Sequence, residues 1–149
     1  MKLPIKVRRL SEEARLPVRA SGGEAGWNLH AAAGTLFPIS PGERRVIGTG
    51  LALEIPPGSE ARLCPRSGPA LRSGLTVVDD IEENPLLDAE SRNEIKVTLV
   101  NHGEEPASIL AGERIAQLLF APVERDIFWV DLIDTQELAD LRRGKEGHL

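Results

Sequence analysis

Ser108–Val123 reads "SILAGERIAQLLFAPV". Its apolar residues follow the spacing of strands, and "LAGE" at 110–113 is turn chemistry that divides the run. One residue interrupts the apolar stretch. Gln117 brings a carboxamide into a strand expected to be buried, and a buried amide needs partners. It is therefore either satisfied by backbone or pointed into a site.

The same pattern extends outward along the chain. "VIGTGLALEI" (46–55), "EARLC" (60–64), "LTVV" (75–78), "EIKVTLV" (94–100) and "DIFWV" (126–130) also read as strands. Their separators, "SPGE" at 40–43, "PPGS" at 56–59 and "NHGEEP" at 101–106, are turn sequences. Many short strands, with 11 prolines and 14 glycines, predict an all-β sandwich or barrel. Helix is confined to "DTQELADLRRG" at 134–144. There Asp134 can cap, Glu137 completes the box, Leu138 and Leu141 share a face and Gly144 stops the turn. With no repeat or internal linker, residues 1–149 read as one domain, ending in a short mobile tail at 145–149.

Composition narrows the function classes. A net charge of −5 argues against nucleic acid as the main partner, although a small anion needs only a local cationic patch. No apolar run is long enough for a membrane, no signal peptide is seen, and a single cysteine, Cys64, cannot form an intrachain disulfide. The cytoplasm is the expected location. Cys64 reads as a strand residue rather than a nucleophile, and Trp27 and Trp129 read as packing residues.

Polar clusters carry the chemistry. In "PRSGPALRSGL" (65–75), Arg66, Ser67 and Gly68 offer a guanidinium fork, a hydroxyl and an approachable backbone amide, a set suited to phosphate oxygens. A polar turn with a surface arginine is the plainer alternative. "LLDAESRNEIKV" (86–97) places Asp88 and Glu90 two apart, on one face if extended, ahead of a strand. A solvated hairpin tip is its alternative. His30, His102 and His148 form no triad pattern with Ser67, so a serine hydrolase is not supported.

With "AGWNLHA" (25–31) placed before them and "AGERIAQLLFAPV" (111–123) after, these stretches resemble, in order and spacing, the four motifs of the trimeric dUTPase family. The likeness spans about residues 16–145. It implies a jelly-roll-like distorted β-barrel, a homotrimer with active sites between subunits, and Mg²⁺-dependent hydrolysis of dUTP to dUMP and pyrophosphate. On this resemblance Asp88 is the water-activating carboxylate and Gln117 helps to hold that water. Arg66, Ser67 and Gly68 meet phosphates, and Asp79, Leu87, Ser91 and Arg143 fall among the substrate-binding positions. An oriented water, a proton acceptor and donors to the phosphates form a coherent set for cleaving a phosphoanhydride.

Several positions depart from the family pattern. Asn28 stands where the family has an aspartate that reaches the metal through water; it keeps one acceptor oxygen and loses the charge. The alternative is that Asn28 bonds neighbouring backbone. The hairpin in "GLTVVDDIEENPLLDAESRN" (74–93) is about three residues longer than usual, with Asp79 near the family's asparagine and Ser91 at its tyrosine. A carboxylate at Asp79 facing the base favours cytosine's amino group over uracil's carbonyl, whereas the acidic run 79–83 also reads as a solvated loop. Ser91 removes the ring that packs on the deoxyribose. In "RRGKEGHL", Arg143 and Gly144 match the fifth motif, but His148 replaces a base-covering phenylalanine and the sequence stops at Leu149, which implies an incomplete lid. Two further readings follow: a dCTP or dual-specificity pyrophosphatase of the same fold, and a weakly active nucleotide-binding regulatory paralogue.

Overall fold

A computed structural model describes residues 2–20, 26–32, 38–65, 74–124, 126–132 and 135–147. Among them the strands are β1 (Lys6–Arg9), β2 (Val18–Arg19), β3 (Trp27–His30), β4 (Pro38–Ile39), β5 (Arg44–Gly48), β6 (Leu51–Glu54), β7 (Ser59–Cys64), β8 (Leu75–Val77), β9 (Lys96–Asn101), β10 (Ala107–Ser108) and β11 (Arg114–Pro122). The helix α1 spans Thr135–Gly147. The strands form a four-stranded sheet ordered β2-β3-β11-β7, a three-stranded sheet β5-β9-β8, and the pairs β1-β6 and β10-β4. All of these pairings are antiparallel. The described residues are thus mostly β with one helix near the C-terminus, as expected.

Alternation explains which faces meet. Ala61 and Leu63 of β7 are buried while Arg62 between them is exposed, and Val97 and Leu99 of β9 lie inward with Ile47 of β5. Leu29, Leu51, Leu75, Ile115 and Leu118 complete a continuous core. Each such aliphatic side chain contributes about 1.5–3 kcal/mol on full burial.

Four expectations need correction. The run 46–55 is two strands, because the chain reverses at Gly50, whose φ is +69° and whose Cβ, if present, would lie 2.9 Å from that of Ala14. Thr49 anchors the break by donating to the Ile95 carbonyl at 2.7 Å. Residues 126–130 form no strand: a strand needs a neighbouring ladder, and none among the described residues pairs with them. Consistently, Trp129 is 94% exposed and is no packing residue within the subunit, whereas Trp27 is half-buried against the core and stacks beneath Arg19. Finally, α1 runs through Gly144 to Gly147, since one glycine inside a helix weakens it without ending it. Leu138 and Leu141 of α1 are both exposed, and the proposed cap, Asp134, lies outside the described residues.

Candidate active site

The register of the four-stranded sheet aligns Val18, Asn28, Gln117 and Cys64 in one row across β2, β3, β11 and β7. Residues directly opposite share a face. The adjacent row of Trp27, Leu118 and Leu63 faces the core, so the Asn28–Gln117–Cys64 row points the other way. Even so, Asn28 is 5% exposed and Gln117 4%. Gln117 Nε2 donates to Asn28 Oδ1 at 3.5 Å, a long contact. Gln117 is therefore buried off the core face.

Gly26 explains the start of "AGWNLHA". A Cβ there would lie 2.6 Å from Gln117 Oε1, so any larger residue would push the carboxamide from its present position. Cys64, half-buried in the same row, has its thiol pKa raised, chiefly by burial, which keeps it from being a ready nucleophile. β7 then runs into Pro65; Arg66, Ser67 and Gly68 lie outside the described residues.

Asp88 is exposed in a tight turn instead of an extended segment, so it and Glu90 do not share a strand face. The Glu90 N–H donates to Asp88 Oδ1 at 2.9 Å, and the Asp88 N–H donates to Ser91 Oγ at 3.0 Å. Ser91 Oγ lies 3.4 Å from Asp88 Oδ1. Ser91 thus closes the turn on Asp88, whose carboxylate is held by the N–H two residues on, an arrangement common for Asp in turns. Just before it, half-buried Leu87 exchanges both main-chain hydrogen bonds with Ala61, at 2.8 and 2.9 Å, and moors the turn to β7.

Within one subunit Asp88 and Gln117 are not brought together. Leu87 lies beyond β7 at Ala61, while Gln117 lies on the opposite side of β7 opposite Cys64. With strands about 4.8 Å apart and a rise of about 3.3 Å per residue, the Leu87 and Gln117 Cα atoms are roughly 14 Å apart. A shared water needs both groups within about 3 Å of it.

Asp79 accepts from Arg62 Nη2 at 2.7 Å, and both side chains are exposed. Arg62 shares a face with Cys64 two residues on, so β7 carries Asp79 beside the polar row. Sequence reading missed Arg62 because it looks like any outward residue of an alternating strand. Arg143 is exposed on α1 and pairs with Asp140 one turn earlier.

The family model described as dUTPase matches residues 12–148. Over 149 residues the chain is 44% identical to the deoxyuridine 5'-triphosphate nucleotidohydrolase of Methylocella silvestris, covering 97% of this chain and 89% of that one. It is 40% identical over 145 residues to the protein of the same name from Nautilia profundicola, covering 97% and 96%. A solved structure of a point mutant of the dUTPase from phage phi11 of S. aureus, concerned with coordination of a structural Mg(II) ion, superposes with a TM-score of 0.69. At 24% identity, over 87% of this chain and 97% of that one, it supports the fold alone. The chain belongs to the dUTPase family.

Proposed function

We propose that this chain hydrolyses dUTP to dUMP and pyrophosphate as a single-domain subunit of a cytoplasmic homotrimer. The observation that carries the reading is the buried Asn28–Gln117 pair, set off the core face of the sheet and opened by Gly26. Relatives at 44% and 40% identity, both named for this activity, support it. The single cysteine accords with the location, and no helix among the described residues is long and apolar enough to cross a membrane.

In this mechanism Gln117 orients a water and the Asp88 carboxylate takes its proton. The water oxygen bonds to phosphorus as the anhydride P–O bond breaks, and pyrophosphate leaves with the bonding pair. Arg66, Ser67 and the Gly68 amide receive the charge that develops on phosphate oxygens, and Arg143 supplies a further cation. Leu87, Ser91 and Asp79 face base and sugar. Because Asp79 is already paired with Arg62, guanidinium donors stand beside its carboxylate. That weakens the case for cytosine and leaves dUTP as the substrate. Pyrophosphate release measured with dUTP, dCTP, dTTP and UTP tests the reading; the rate should be highest with dUTP, and equal rates would reject it.

The separation of Asp88 from Gln117 supports sites composed between subunits. So does the apolar run Ile127, Phe128, Trp129, Val130 and Leu132, exposed throughout, since contiguous apolar surface of this kind marks an interface.

The donor set fits Mg²⁺ in a limited way. Among the described residues no three His, Cys, Asp or Glu side chains cluster to hold a metal. Asn28 offers a hard amide oxygen, suited to contact through water, with the triphosphate supplying the direct ligands. Bound there, the ion would neutralise phosphate charge. Asn28→Asp is expected to lower the Mg²⁺ concentration for half-maximal hydrolysis a few-fold, since one added charge near a divalent ion contributes on the order of 1 kcal/mol. A metal titration of both proteins, beside their melting temperatures, checks this; an unmoved midpoint would leave Asn28 only its bond to Gln117.

A further inference from the structure

Asn84, which directly follows the acidic run 79–83, is 7% exposed, and the proposed mechanism does not use it. Its Nδ2 donates to the Val78 carbonyl at 2.7 Å and, more weakly, to that of Thr98 at 3.4 Å. Its Oδ1 accepts from the Thr98 N–H at 2.9 Å. β8 has ended at Val77, although the Val78 N–H still donates to the Thr98 carbonyl at 3.0 Å. The carboxamide therefore bridges the Val78 carbonyl and the Thr98 N–H, completing the last rung of the β8–β9 ladder where the two chains begin to part.

This anchor lies close to Asp88. Asn84 itself donates its N–H to the Asp80 carbonyl at 2.7 Å, which closes the loop behind it. Pro85 follows with its φ fixed, and three residues after Asn84 comes Leu87, bonded to Ala61. Two ion pairs also touch the segment, Arg44–Glu83 and Arg62–Asp79, both at 2.7 Å. Their arginines are more than half exposed, and such pairs fix position weakly. Asn84 is a buried, directional hold, joined by Thr98 Oγ1, which donates to the Glu83 carbonyl at 3.3 Å.

We propose that Asn84 is a positioning residue for Asp88: it pins the long hairpin to the end of the β8–β9 ladder and so sets where the carboxylate is presented to a neighbouring subunit. The inference rests on the reading of Asp88 as the proton acceptor. Displacing a reacting group by about 1 Å can cost on the order of 10²-fold in rate, so a loosened hairpin should be read directly in turnover.

Asn84→Asp is nearly isosteric but turns the donor facing two carbonyls into an acceptor; Asn84→Ser is a milder change should the first fail to fold. Arg44→Gln removes the exposed clasp on the same loop and serves as control. In the full assembled protein, kcat for dUTP is expected to fall at least about tenfold in the Asn84 variants, at temperatures well below melting, with KM moving less than kcat. Amide hydrogen exchange at Leu87 and Ala61 should speed up while that of the β3–β11 ladder stays unchanged. Arg44→Gln should alter neither. A folded Asn84 variant with wild-type kcat overturns the proposal, and so does a slowed variant whose Leu87 exchange is unchanged. Absence of dUTP hydrolysis in the wild type would instead reject the functional reading, and the exchange data alone would then decide whether Asn84 holds the hairpin.

Discussion

Asp88→Asn is expected to lower pyrophosphate release from dUTP by ~10² to 10⁴-fold, the usual cost of removing a general base. Asparagine keeps the shape and the Oδ1 that accepts from the Glu90 N–H and lies within reach of the Ser91 hydroxyl, so the turn should survive. What is lost is the charge that takes the proton from water. Assembly, melting temperature and affinity for a non-hydrolysable dUTP analogue should stay close to wild type. Turnover at the wild-type rate would remove Asp88 from the mechanism, whatever the rest of the site does.

Mixing two inactive variants should restore activity. If each site takes Asp88 from one subunit and Gln117 from another, an Asp88→Asn chain and a Gln117→Leu chain fail alone for complementary reasons. After unfolding and refolding together in equal amounts, random assembly should rebuild about a quarter of the wild-type sites. The prediction comes from the roughly 14 Å between Leu87 and Gln117 that strand geometry imposes within one chain. The mixture should therefore far exceed either parent in a pyrophosphate assay. Activity no higher than that of the parents would place both groups in one subunit and contradict the separation. Replacing Phe128 and Trp129 with serine supplies the companion measurement: sedimentation should show dissociation, with hydrolysis falling alongside it.

Sequence patterning exposed the core more readily than the boundaries of its elements. Ala61 and Leu63 against Arg62, or Val97 and Leu99 against Lys96, announce an inner and an outer face because side chains alternate along any strand. Gly50 escaped because "GTG" preserves that alternation while its left-handed backbone ends the strand. "DIFWV" has strand composition, but a strand is a relation between two segments and none of the described residues pairs with it. Gln117 was legible as a polar residue in an apolar run. Its pairing with Asn28 was not, since register is fixed by contacts 89 residues apart in the chain. Asn84 sat unnoticed beside Asp79, Asp80, Glu82 and Glu83, where charge suggested only solvation.

The two tryptophans also give the protein an optical signature. With no tyrosine in the chain, near-ultraviolet emission comes almost wholly from Trp27 and Trp129. Trp27 is already half enclosed, with the Arg19 guanidinium 5.3 Å from its ring centre, so its signal should report the integrity of the subunit. Trp129 in an isolated chain faces water, and indole emission moves to shorter wavelength when water is replaced by apolar neighbours. With Trp129 in the subunit interface proposed above, folding and assembly would fall on separate fluorophores, and dilution could be followed through one while the other attests that the sheets remain packed.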